Sequence, residues 1–103
     1  MVKRISLIRR VPGMSDEAFE RYWLNEHIKI TKQYPGLKKY IINITDRRLS
    51  PDAEWDGFSE LWYDSVENMR LAYTGEIGQR SKEDEKNFIG EISVMVIEEH
   101  PII

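Results

Sequence analysis

The segment ISVMVIE, residues 92–98, carries apolar side chains on both of its alternating faces: Ile92, Val94 and Val96 on one, Met95 and Ile97 on the other. A strand of an antiparallel sheet with one solvated face alternates apolar with polar residues, so this pattern asks for cover on both sides. The same demand recurs at residues 58–63, where Phe58 and Trp62 oppose Leu61 and Tyr63, and at 37–47, where Ile41 opposes Tyr40, Ile42 and Ile44. Residues 2–9, with Ile5, Leu7 and Ile8, make a fourth strand-like run.

The helical segments are few. Ser15 stands where it can cap a helix, Asp16 and Glu17 suit its first turn, and Phe19, Tyr22, Trp23, His27, Ile30 and Tyr34 follow mostly at steps of three and four. Pro35 and Gly36 end that helix. Ser65 caps a second one with a stripe of Val66, Met69 and Tyr73, and Ser81 with Asp84 resembles a capping box for a short third helix ending near Phe88. The order is βαββαβ with an extra helical turn before the last strand. That predicts an α+β, ferredoxin-like fold in which a four-stranded antiparallel sheet carries its helices on one face. The second apolar face would lie at or above the roughly 300–600 Å² patch that monomers expose, so we expect an obligate homodimer packed sheet to sheet around a barrel-like core.

Length and charge narrow the functional classes. At 103 residues the chain is expected to be one domain, 1–103. Its net charge of -3 is mixed along the sequence, with no basic stripe of the kind that binds nucleic acid. The absence of cysteine excludes disulfides and thiolate chemistry. No stretch reaches transmembrane length and "MVKRISLIRR" lacks the apolar run of a leader, so the expected location is the cytoplasm.

His27 is one of two histidines, and it shares its stripe with aromatics. Two readings stay open: a packed core imidazole with one nitrogen satisfied, or a proton-transfer group facing a cavity. Tyr40, at the start of the strand after "PGL", is either packing or a hydroxyl donor to a substrate oxygen. Glu60 alternates with Phe58 and Trp62. Such a carboxylate is paired, for example with Arg4 or Arg9, or else is raised by burial into an acid or base. Trp23, Phe58, Trp62 and Phe88 are core residues or the walls of a pocket for a flat apolar ligand. His27 has no second histidine at i+3 or i+4, so no metal is expected.

The runs "FERYWLNEHIKITKQYPGLKKYIIN", "GFSELWYDSVENM" and "DEKNFIG" resemble the EthD family of the dimeric α/β-barrel superfamily, named after ethyl tert-butyl ether degradation. The resemblance implies dimerisation through the sheets and a small-molecule pocket between sheet and helices. The family is also similar to methylmuconolactone isomerases, in which a helix histidine and a strand tyrosine act at a lactone; His27 and Tyr40 stand at the matching positions. Those isomerases carry a further histidine before the third strand, where "RRLSPDAEWDG" has none. The expectation is a cofactor-independent enzyme that moves a proton on a small cyclic or aromatic carbonyl compound by isomerisation, cyclisation or elimination. His27, Tyr40 and Glu60 would be catalytic. Two alternatives stand beside it: a non-catalytic binding or accessory protein of an oxidative degradation pathway, and a haem- or quinol-handling monooxygenase.

Overall fold

Four antiparallel strands form one sheet in the order β2-β3-β1-β4, seen in a computed structural model that describes residues 1–103. The strands are β1 (Val2–Arg10), β2 (Leu37–Ile44), β3 (Gly57–Tyr63) and β4 (Ile89–Ile97). Between β1 and β2 run α1 (Asp16–Tyr22), a π-helical turn (Trp23–His27) and α2 (Ile28–Thr31). Between β3 and β4 lie α3 (Val66–Thr74) and α4 (Glu76–Glu85). This is the ferredoxin-like arrangement. Ser15 and Ser65 cap as expected, their hydroxyls accepting from the backbone N–H of Ala18 and Asn68. No helix is long and apolar enough to cross a membrane.

Strand pairing assigns the faces. Arg4, Ser6 and Ile8 of β1 align with Leu61, Ser59 and Gly57 of β3 and with Val96, Val94 and Ile92 of β4. Tyr40, Ile42 and Ile44 of β2 complete that face, which the helices cover over β1, β2 and β3 while Ile92, Val94 and Val96 of β4 stay exposed. On the open face, Lys3, Ile5 and Leu7 meet Trp62, Glu60 and Phe58.

The helical region departs from expectation in two places, each with a physical cause. The third helix begins five residues before Ser81, at Glu76, and so is a full ten-residue element. Ser81 sits in its middle with 1% exposure, its hydroxyl accepting from Tyr34 at 2.7 Å, so it caps nothing. The buried stripe of the first helical stretch is Phe19, Trp23, His27, Thr31 and Tyr34; Thr31, rather than Ile30, falls on it. Repeated steps of four in a straight α-helix drift by about 40° each, which would carry Thr31 about 120° away from Phe19. The π turn, with its wider i→i+5 loop, takes back part of that drift and keeps these residues on one wall.

Two core clusters result. Ile8, Phe19, Trp23 and Phe88 form one; Tyr34, Leu61, Tyr63 and Ala72 form the other. The open face is less apolar than its alternation suggested. Glu60 accepts from Lys3 Nζ at 2.9 Å and from Asn43 Nδ2 at 2.9 Å, and Trp62 Nε1 donates to Glu99 at 2.8 Å. The partner of Glu60 is therefore Lys3, not Arg4 or Arg9, because Lys3 shares its face and Arg4 does not. Around this polar centre Ile41 and Met95 remain exposed.

Candidate functional site

Between the two core clusters the sheet carries two serines directly opposite each other, Ser6 and Ser59. Small side chains at the centre of a packed layer leave space above them, and a cavity of about 50 Å³ lies there, walled by His27, Thr31, Tyr34, Tyr40 and Tyr73. Neither serine hydroxyl makes a hydrogen bond within the protein, yet no sealed side-chain nitrogen or oxygen lacks a partner. Both hydroxyls therefore open into that space.

His27 enters the cavity from the π turn at 4% exposure. Its Nδ1 lies 2.8 Å from Asp84 Oδ2, and Asp84 Oδ1 accepts from Tyr22 at 2.6 Å and from Asn87 Nδ2 at 3.2 Å. Burial pushes the Asp84 carboxyl up, but the hydrogen bonds from Tyr22, His27 and Asn87 outweigh it and hold it below the usual carboxylate range. An ionised carboxylate only accepts, so Nδ1 carries the proton and Nε2 carries the lone pair. Nε2 has no protein partner either and is not sealed, so it too opens into the cavity that His27 lines. Burial lowers the imidazole's affinity for a proton and Asp84 opposes that fall, so the net shift is below 6.5. At neutral pH the group is a free base. Phe88 packs against the other side of the ring, 4.8 Å between centroids, and fixes its plane.

Tyr40 projects from β2 into the same space, its hydroxyl 3.0 Å from Thr31 Oγ1. Burial raises its pKa, so it is a neutral donor. Arg4 and Glu85 complete the outer wall. The Arg4 guanidinium stacks 3.4 Å from the Tyr73 ring centroid and makes no ion pair within 4.0 Å, while burial raises Glu85 despite Arg4 and Lys82.

The structure thus gathers His27, Tyr40 and Trp23 around one cavity, with Phe88 behind the imidazole. Glu60, Phe58 and Trp62 stand on the opposite face of the sheet. Hydrogen bonds from Asn43 and Lys3 hold Glu60 below its ordinary value, as a plain carboxylate. Sequence reasoning missed Asp84, Arg4, Ser6, Ser59 and Glu85. Asp84 stood inside the supposed capping box, and its position one helical turn before Phe88 was the only local signal. No three histidine, aspartate or glutamate side chains are grouped to hold a metal ion.

The EthD domain model matches residues 11–91. The chain belongs to the EthD family. Among solved structures, an EthD family protein from Bacillus halodurans superposes with a TM-score of 0.79 at 23% identity, covering 97% of this chain and 100% of that one. A Dabb family protein with a ferredoxin-like fold from Mesorhizobium loti gives 0.76 at 9% identity, with 97% of each chain covered. A dimeric protein of unknown function with a ferredoxin-like fold from Bacteroides fragilis gives 0.70 at 12% identity, with 94% of each chain covered. At such identities the likeness is one of fold. No curated protein matches the sequence. In this EthD domain the matched residues take in the whole first helical stretch, β2, β3 and α4, while β1, whose Arg4, Ser6 and Ile8 also line the His27 cavity, precedes them.

Proposed function

We propose that this EthD protein is a cofactor-independent enzyme that moves a proton on a small cyclic or aromatic carbonyl compound. The observation that carries the reading is the unpartnered Nε2 of His27, set in a cavity and backed by an ionised Asp84. In the forward step Nε2 takes a proton from the carbon next to the carbonyl. The C–H pair moves into an enolate, and the Tyr40 hydroxyl donates to the developing oxyanion. His27, now an imidazolium paired with Asp84, returns the proton at another carbon for isomerisation or cyclisation, or to a leaving group for elimination. Trp23 supplies an apolar wall. Glu60, Phe58 and Trp62 belong in this scheme to a homodimer interface on the open face, with Ile41 and Met95, and a barrel-like core closes between two sheets.

The test is exchange of solvent deuterium into a panel of small lactones and hydroxyaromatic ketones, followed by proton NMR. The wild type should exchange the carbon-bound proton of at least one compound, and His27→Ala should abolish exchange while leaving the fold intact. Binding of panel compounds without exchange would instead mark a non-catalytic binding protein. Exchange that survives His27→Ala would remove the histidine from the reaction.

A further inference from the structure

The cavity is too small for the substrates just named. At about 50 Å³ it holds a few waters, whereas an apolar cavity takes up benzene only at roughly 150 Å³. Space exists next door. A groove of about 390 Å³, within the range of small-molecule pockets, runs along the outer edge of β2 between Leu24 and Ile28 on one side and Leu37 and Ile42 on the other. Tyr40 lines both spaces. It stands between them, with its hydroxyl hydrogen-bonded to Thr31 Oγ1.

The charge of the groove is unlike that of the chain. Lys32 and Lys38 stand on its rim, neither within 4.0 Å of a carboxylate, and no acidic residue lines it, although the protein as a whole carries -3. Lys39 adds its stem, but its ammonium turns to the open face over Trp62. Apolar walls under two unpaired cations complement an apolar anion.

The geometry points to Tyr40 as a gate through which an apolar carboxylate or phenolate, captured under Lys32 and Lys38, reaches His27. With the gate closed, Thr31 Oγ1 donates to the His27 carbonyl at 3.4 Å and accepts from Tyr40, which occupies the tyrosine's proton. Swinging Tyr40 out joins cavity to groove and frees that proton for the substrate oxygen in the same movement. This deepens the proposed function and rests on it for the chemistry, but not for the binding.

The probes are 2-naphthoate and the neutral, equally large 2-naphthamide, titrated into the full-length protein with NMR detection of the two histidine side chains. Naphthoate should bind more tightly than naphthamide and shift the His27 signals but not those of His100. The Lys32→Gln/Lys38→Gln variant should weaken naphthoate about tenfold, from two near-surface ion contacts of under 1 kcal/mol each, and leave naphthamide unchanged. Thr31→Val, or Thr31→Ala if the first variant misfolds, should strengthen naphthoate binding by removing the latch. Equal affinity for the two probes, no effect of the lysine changes, or an unmoved His27 at saturation would each overturn the gate. Loss of deuterium exchange with these binding results intact would sink only the catalytic reading.

Discussion

Replacing Asp84 by asparagine tests the central pair without changing its shape. Asp84 Oδ1 already accepts from both Tyr22 and Asn87, so the amide oxygen must stay there and the new NH2 must face His27 Nδ1. A donor at that place requires an acceptor, so the imidazole should change tautomer, with Nδ1 bare and the proton on Nε2 inside the cavity. Removing the charge also exchanges a charge-assisted hydrogen bond for a neutral one, a difference of about 1.5 kcal/mol, or about one pH unit at the imidazole. The His27 pKa, already lowered by burial, should fall by about that much further. With the base nitrogen blocked, deuterium exchange should drop by about 10²–10⁴. Long-range proton–nitrogen NMR reads the tautomer and the titration directly, and His100, in the exposed tail, serves as the internal reference. If Nε2 already carries the proton in the wild type, or the titration does not move in the variant, the Asp84–His27 argument is wrong.

Other perturbations probe the same construction. Ser59→Val should fill the cavity with a methyl group and raise stability by about 1 kcal/mol in urea unfolding while suppressing exchange, the pattern of a cavity kept for function rather than a packing fault. Phe88→Ala removes a ring that touches Phe19, Tyr22, Trp23 and His27, and should cost about 3–5 kcal/mol by the same assay. Gly57→Ala would press a methyl group onto the Asn43 carbonyl and to 2.9 Å from the Trp23 ring; a cost of about 1–3 kcal/mol is expected. Stability should also follow His27 with pH. Its folded value lies below 6.5, so between the two values the unfolded chain binds a proton that the folded one does not. The contribution is complete above pH 6.5 and is lost as the pH falls from there through the lower, folded value, and His27→Gln should flatten this part of a thermal-melting profile.

Much of the fold is local and therefore readable. Alternation fixed which residues of each strand share a face, because side chains project with a period of two whatever the strand pairs with. Ser15 and Ser65 cap through contacts three residues away, so their roles too were visible in the chain. His27 came inward because it shares a stripe with Phe19 and Trp23. Its partner is another matter: Asp84 is 57 positions distant, and nothing local distinguishes a carboxylate that ends up beside an imidazole from one that caps a helix. Helix α4 was underestimated because Gly75 and Gly78 look like breaks, although Gly78 lies inside it, where the backbone of Ala72 and Tyr73 approaches too closely for any side chain. Strand pairing alone set Ser6 against Ser59 to open the cavity, and put Glu60 with Lys3 on the far side of the sheet from His27. The sequence by itself determined the elements and their inner faces, since these depend on spacing along the chain. Only the tertiary structure decided the site, since its cavity and its charge pairs depend on register between segments that spacing does not relate.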